Sequence, residues 1–95
     1  MDKYYLGQSS LDITVSFDDD ITGASVLIEY RKPDGIEGSW AATIVEVLPA
    51  CIYYACADGD IDAVGKWTLW LHITYADGRD AYSEPFYMRV YTPGT

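Results

Sequence analysis

The sequence contains no asparagine and only one histidine, His72. Without asparagine the chain has no N-glycosylation site and no Asn-Gly turn, so its hairpins need other turn residues. The single histidine has no G-x-S-x-G motif to act with, and a chain of 95 residues is shorter than most enzyme scaffolds. We therefore predict a non-enzymatic protein with no catalytic residue and no bound cofactor.

Basic residues are also scarce, with six Lys and Arg against fifteen Asp and Glu and a formal net charge of −9. This excess of negative charge repels phosphate backbones and anionic lipids, which predicts that neither nucleic acid nor a membrane is a partner. The longest apolar run, residues 47–57, is interrupted by Pro49 and is shorter than the roughly 20 residues of a transmembrane helix.

The two cysteines, Cys51 and Cys56, lie five positions apart in one apolar segment. An extended chain would place them about 16 Å apart on opposite faces, whereas a disulfide needs Cα atoms within about 7 Å. We predict free thiols, one of them buried. Residues 1–5 lack a basic and apolar signal, which together with the free thiols favours synthesis in a reducing cytoplasm.

Strict alternation of apolar and polar residues predicts β-strands along most of the chain. The predicted inward sets are Leu11, Ile13, Val15 and Phe17; Val26, Ile28 and Tyr30; Ile52, Tyr54 and Cys56; Trp67, Leu69, Leu71, Ile73 and Tyr75; and Phe86, Met88 and Val90. Residues 40–47 leave two alternatives open. Either Trp40, Ala42 and Ile44 face inward, which we favour, or Ala41, Thr43, Val45 and Val47 do.

Turn signals separate these runs, among them Pro33-Asp34-Gly35 and Asp77-Gly78. Gly65 is expected where the chain enters a crowded corner, and one helical turn could form over residues 60–64. Six or seven strands around one core predict an all-β fold, an antiparallel Ig-like β-sandwich of about seven strands that forms a single domain over residues 1–95.

Acidic clusters in two predicted loops are candidates for calcium, which takes oxygen ligands from carboxylates. The calcium candidates are Asp58, Asp60 and Asp62, and a second acidic run covers residues 18–20. Neither cluster matches the EF-hand loop, so solvated turn residues are the simpler interpretation. Cys51, Cys56 and His72 match no zinc-binding spacing, and we predict no metal site.

Several aromatic residues alternate with the inward sets and are therefore expected on the outer faces of the sandwich. Exposed Trp and Tyr are typical of protein interfaces and can also stack on sugar rings; we favour an interface. The candidate contact residues are Tyr53, Trp70, His72, Tyr87, Arg89 and Tyr91, with Tyr4 and Tyr5 as an N-terminal arm that adds a strand to a partner's edge.

The chain also resembles a known family over nearly its whole length. The segments DITGASVLIEYRKPDG at 20–35, GKW at 65–67, ITYADG at 73–78 and SEPFYMRV at 83–90 are similar in order and spacing to motifs of phage Ig-like domains of the baseplate-upper-protein N-terminal type. This resemblance implies a structural protein located in the virion, at the neck, capsid surface, tail or baseplate, whose partners are other phage virion proteins and copies of itself. The alternative function is a β-sandwich module that binds a surface glycan or calcium.

Overall fold

The computed structural model describes residues 4–7, 12–57 and 59–94, and these residues contain β-strands and no helix. The nine strands are β1 (Tyr4–Tyr5), β2 (Asp12–Phe17), β3 (Ser25–Arg31), β4 (Glu37–Ala41), β5 (Thr43–Val47), β6 (Ala50–Ala55), β7 (Gly65–Thr74), β8 (Asp80–Tyr82) and β9 (Phe86–Tyr91). The predicted all-β class is confirmed. None of the described residues belongs to a helix with the length and apolarity needed to cross a membrane.

The strands form two sheets that enclose the core. The six-stranded sheet has the order β1-β9-β7-β3-β4, with β8 paired to the far half of β7, and the three-stranded sheet has the order β2-β6-β5. The predicted β-sandwich is therefore confirmed. The arrangement is not antiparallel throughout, because the short strand β1 pairs with β9 in parallel.

The strand number exceeds the predicted six or seven because two predicted strands are each divided and β1 is an additional short strand. Residues 40–47 pass from β4 in the large sheet to β5 in the small sheet, and Ala42 between them donates its backbone N–H to Val26. Trp40 is buried and Ile44 is half-buried, so the favoured inward set is confirmed. Since the core lies between the sheets, a chain that changes sheets keeps its inward residues inward, and the alternation conceals the crossing.

The last predicted strand is divided at residues 83–85, where the chain leaves the sheet between β8 and β9. Ser83 stays attached to β7, because its hydroxyl accepts the Leu71 N–H at 2.8 Å and its own N–H donates to the Leu71 carbonyl at 3.0 Å. Pro85 has no N–H to donate to a strand ladder. Between β8 and β9, the middle of β7 therefore has no strand paired with it on this side.

Trp67 is the centre of the core, and its side chain is fully buried. Its indole N–H donates to the Ala63 carbonyl at 2.9 Å. Its ring centre lies 6.0 Å from that of Trp40 and 5.4 Å from that of Tyr30. The alternation of β7 is confirmed, since Trp67, Leu69, Leu71 and Ile73 are all buried.

Two fully buried residues, Ile21 and Ile61, lie outside the strands and were absent from the predicted inward sets. Ile61 occupies the segment where a helical turn was considered, but the chain forms a bend there instead. The Asp60 carboxylate stabilises this bend by accepting the Ala57 N–H at 2.7 Å. Residues 60–64 thus supply one core side chain without forming a helix.

Both cysteines are free, as predicted, with Cys56 buried and Cys51 half-buried. Burial raises the pKa of the Cys56 thiol to about 11, so this side chain stays protonated at neutral pH. Cys56 therefore contributes to the core as a small apolar residue.

Candidate functional site

The candidate site lies on the outer face of the six-stranded sheet. This outer face consists of the side chains that point away from the core, and those that form the site are Glu29, Arg31, Lys66, Thr68, Trp70, His72, Asp80, Tyr82, Tyr87 and Arg89. In β7, Trp70 and His72 alternate with buried leucines. The strand register places Glu29 opposite Trp70 and Tyr82 opposite His72.

Glu29 orients both aromatic side chains of β7. One carboxylate oxygen accepts the Trp70 indole N–H at 2.7 Å, and the other lies 2.9 Å from His72 Nδ1. On the other side of the imidazole, Nε2 lies 3.0 Å from an Asp80 oxygen, and the ring stacks on Tyr82 with 4.4 Å between centres. These contacts link β3, β7 and β8 through side chains that the sequence separates by up to 43 positions.

The two carboxylates favour a protonated His72. Hydrogen bonds to Glu29 first and to Asp80 second raise the pKa of His72 above its ordinary value of 6.5. The bond to His72 likewise lowers the pKa of Asp80 below its ordinary value of 3.8. When the imidazole is neutral, one of its two nitrogens has no hydrogen and faces a carboxylate oxygen without a bond.

We expect the contribution of His72 to stability to decrease as the pH rises. Because the folded-state pKa is raised, this contribution is complete below about pH 6.5 and is lost as the pH rises through the folded-state value. At pH 5.5, His72→Gln is expected to lower the melting temperature by about 2 to 4 °C, and by less at pH 8.5. Thermal unfolding of both proteins at the two pH values measures the difference.

Asp80→Asn is the control for this prediction, since it removes one of the two carboxylates that face the imidazole. The pH at which the stabilisation is lost should then move to a lower value. A difference between wild type and His72→Gln that is constant from pH 5.5 to 8.5 would show that the pKa of His72 is the same in the folded and unfolded protein, and that the two carboxylates do not raise it.

A cavity of about 260 Å³ opens on the outer face, beside the gap between β8 and β9. It is lined by Arg31, Thr68, Trp70, Ser83 and Pro85. Most of its polar groups already have partners: the Trp70 N–H donates to Glu29, and the Ser83 hydroxyl donates to the Glu84 carbonyl. The cavity therefore offers an apolar wall with a charged rim, which suits an apolar side chain.

Arg31 forms the charged rim of the cavity. Its guanidinium carbon lies 5.6 Å from the centre of the Trp70 ring, a distance at which a cation and an aromatic face attract each other. The same guanidinium pairs with Glu37 at 2.8 Å. These contacts hold the Trp70 ring in place without covering the cavity.

Most predicted contact residues share the outer face, but Tyr53 does not. Tyr53 lies in the middle strand of the three-stranded sheet, opposite Thr14 and Thr43, on the other side of the sandwich. Trp70, His72, Tyr87 and Arg89 lie along the same outer face, and Tyr87 is 58% exposed. Sequence alternation identifies outward residues, but it does not tell which of two opposite faces they occupy.

The N-terminal arm adds its strand to its own sheet, which corrects the prediction that Tyr4 and Tyr5 add a strand to a partner's edge. Tyr4 is paired with Val90 and Tyr5 with Tyr91, so the predicted contact residue Tyr91 is half-buried beside the arm. The Leu6 N–H continues this pairing by donating to the Tyr91 carbonyl at 2.9 Å. The arm covers an edge of β9 that would otherwise present unpaired backbone groups.

The calcium candidates have other partners. Asp60 accepts the Tyr54 hydroxyl at 2.7 Å, which raises the pKa of Tyr54 to about 12, and Asp62 pairs with Lys32 at 2.9 Å. Asp58 lies outside the described residues. Within residues 4–7, 12–57 and 59–94, no three His, Cys, Asp or Glu side chains form a group that could hold a metal ion.

Six residues of the site were not among the predicted contact residues: Glu29, Arg31, Lys66, Thr68, Asp80 and Tyr82. Tyr82 is 64% exposed and lies in β8, which the sequence did not separate from β9. Glu29 has an outward position in the predicted alternation, and that position was the only signal that could have indicated it.

No known family model and no curated protein matches the chain. Among solved structures, it is similar to the crystal structure of CopC from Methylosinus trichosporium OB3b, with a TM-score of 0.56 and 15% sequence identity over 99% of this chain and 86% of that chain. At this identity the similarity concerns the fold alone. The chain is thus a β-sandwich protein whose fold is similar to that of CopC.

These findings correct the resemblance to phage Ig-like domains, which was wrong. No family model supports it, and CopC, to which the fold is similar, is not a phage protein. The matching segments consist largely of turn residues such as Pro33-Asp34-Gly35 and of core residues such as Trp67 and Val90. Small sandwiches of different families need such residues at similar intervals. The motifs therefore indicate a β-sandwich fold and do not identify a family. The expected place in a virion rested on this resemblance.

Proposed function

We propose that the chain is a non-enzymatic docking domain that binds another protein through its outer face. The observation that carries this proposal is the group of exposed aromatic side chains around the cavity. Tyr82 and Tyr87 are 64% and 58% exposed on either side of the opening, and Trp70 forms its wall. Aromatic anchors beside a small pocket are the usual centre of a protein interface.

The outer face is suited to docking because its central side chains are already ordered. The Trp70 indole is held by Glu29, and the His72 ring is held between Glu29, Asp80 and Tyr82. Side chains that are ordered before binding lose less conformational entropy when the complex forms. We also propose that the sandwich is of the Ig-like type.

Alanine substitutions on the outer face are expected to weaken the binding of protein partners. Trp70→Ala and Tyr87→Ala should each reduce retention of a partner by about 30-fold, the effect of losing about 2 kcal/mol at an interface anchor. The measurement is capture on the immobilised full chain from a lysate of the source organism, quantified by mass spectrometry. Melting temperatures of the variants should fall by no more than about 4 to 8 °C, the shift that a loss of about 1 kcal/mol produces in a domain of this size.

Tyr53→Ala is the matched control, since Tyr53 is an outward tyrosine of the opposite sheet. It should retain the same proteins as the wild type. If Tyr53→Ala removes the captured proteins while Trp70→Ala keeps them, docking occurs through the three-stranded sheet and the proposal is wrong.

A second candidate function is the binding of a small saccharide. The cavity favours it, because a sugar ring could stack on Trp70 within about 260 Å³. However, the Trp70 N–H and the Ser83 hydroxyl already have protein partners, and saccharide sites usually offer several free polar groups. A glycan array with wild type and Trp70→Ala separates the two functions, since a docking domain should bind no glycan.

A further inference from the structure

Among the described residues, the Lys and Arg side chains without an ion pair lie at one position on the outer face. All of the six Lys and Arg except Lys3 lie in the described part of the chain. Three of them are in ion pairs of 2.9 Å or less, namely Arg31–Glu37, Lys32–Asp62 and Arg79–Asp77. The other two, Lys66 and Arg89, form no ion pair with any described residue.

Lys66 and Arg89 are directly opposite each other in the pairing of β7 with β9. Like charges in this arrangement destabilise a sheet, and both side chains are exposed. The Lys66 ammonium lies 4.2 Å from the centre of the neighbouring Tyr87 ring. The chain has a net charge of −9, yet no Asp or Glu in the part of the chain that the structure describes forms an ion pair with Lys66 or Arg89.

The cationic pair and the cavity lie on one line along β7. Lys66, Thr68 and Trp70 are alternate residues of the strand and point to the same face. Since a strand advances about 3.3 Å per residue, Lys66 and Trp70 are about 13 Å apart. An extended peptide covers this distance with four residues, and its alternate side chains would reach both places.

We propose that the outer face binds an extended acidic segment of a different protein. An apolar side chain of that segment occupies the cavity at Trp70, and carboxylates two and four residues along the segment pair with Lys66 and Arg89. This inference rests on the proposed docking function and adds the chemistry of the partner.

The distribution of charge favours a short acidic segment over a polyanion. The net charge of −9 repels a long anionic chain as a whole, whereas the pair attracts single carboxylates that come within a screening length of about 10 Å. The apolar cavity beside the pair has no role for a phosphate backbone, but it suits a leucine or another aliphatic residue.

Synthetic octapeptides test this proposal by fluorescence anisotropy in 0.1 M salt with the full chain. Each peptide carries one leucine, followed at the second and fourth positions by Asp and Glu, by Asn and Gln, or by two Lys. The acidic peptide is expected to bind at least about tenfold more tightly than the amide peptide, the effect of about 1.4 kcal/mol. Trp70→Ala should weaken all three peptides.

The double variant Lys66→Gln and Arg89→Gln should bind the acidic and amide peptides equally. This variant removes a repulsive pair, so its melting temperature should not decrease. Arg79→Gln is the matched control, because Arg79 is an exposed cation in another part of the fold that pairs with Asp77. Arg79→Gln should keep the full preference for the acidic peptide.

Each other outcome overturns the inference in a recognisable way. Equal binding of acidic and amide peptides to the wild type would show that the partner's segment need not be acidic. It would not contradict the proposed docking function. If no peptide binds, the proposal that the partner binds as an extended segment is wrong. The capture experiment tests the docking function independently. A heparin oligosaccharide that competes as strongly as the acidic peptide would identify a general polyanion site. Self-association that the double variant abolishes would assign the segment to a second copy of this chain.

Discussion

Replacing Trp67 by alanine is expected to lower the free energy of unfolding by about 3 to 5 kcal/mol. The Trp67 side chain is fully buried and touches the rings of Trp40 and Tyr30, so its removal leaves a large cavity between the two sheets. The substitution also leaves the Ala63 carbonyl without the indole N–H that it accepts at 2.9 Å. Since small domains are stable by about 5 to 15 kcal/mol, this loss is a large fraction of the total.

Trp70→Ala is the matched control, because it removes the same side chain three positions along the same strand. Trp70 is half-buried on the outer face, and we expect its loss to cost about 1 kcal/mol or less. Denaturation in guanidinium chloride, followed by far-ultraviolet circular dichroism, measures both variants. Similar losses for the two variants would show that the assignment of core and outer face in β7 is wrong.

Gly65→Ala is expected to lower the free energy of unfolding by about 2 to 4 kcal/mol, from backbone strain and steric overlap together. Gly65 begins β7 with a φ of 126°, a conformation that residues with a Cβ atom rarely adopt. A Cβ atom at this position would lie 2.8 Å from Cγ and 3.0 Å from Cβ of Pro33. The prediction of a crowded corner at Gly65 is thereby confirmed.

Gly35→Ala separates the two causes of this loss. Gly35 also has a positive φ, of 90°, but a Cβ atom there would have no neighbour within 4 Å. We expect Gly35→Ala to cost about 1 kcal/mol from strain alone, so the difference between the variants measures the overlap with Pro33. Urea denaturation at 25 °C gives both values, and equal losses would mean that the Pro33 ring moves aside at no cost.

The core and the outer face of β7 have separate roles in the proposed function. Buried Trp67 and Leu71 fix the strand in the sandwich, and the alternation of the strand then presents Trp70 and His72 outward. Substitutions of the first pair should therefore lower stability by several kcal/mol, whereas substitutions of the second pair should lower stability only slightly and weaken binding. This separation allows docking to be tested with variants that remain folded.

The sequence alone determined the strands and their inward residues wherever the alternation was regular. One predicted inward set was Trp67, Leu69, Leu71, Ile73 and Tyr75; the first four are buried, whereas Tyr75 follows the end of β7 and is half-buried. The choice of the Trp40 set and the free state of both cysteines were also correct. These features are local, since each depends on the order of residues along one strand or on the reach of a short segment.

The loop residues that belong to the core could not be predicted from the sequence. Ile21 and Ile61 are fully buried although neither belongs to an alternating run. A single apolar residue in a loop gives no periodic signal, and its burial depends on how the loop folds back over the sheets. The motif resemblance failed for a related reason, because turn and core residues recur in unrelated sandwiches.

The candidate site was decided by the tertiary structure. Outward aromatic residues could be predicted, but their division between two opposite faces could not, and Tyr53 lies on the other side of the sandwich from Trp70. Glu29 meets Trp70 across 41 positions of sequence, and the cavity exists because the chain leaves the sheet at residues 83–85. Alternation specifies whether a side chain points inward or outward, whereas strand order and register decide which side chains become neighbours.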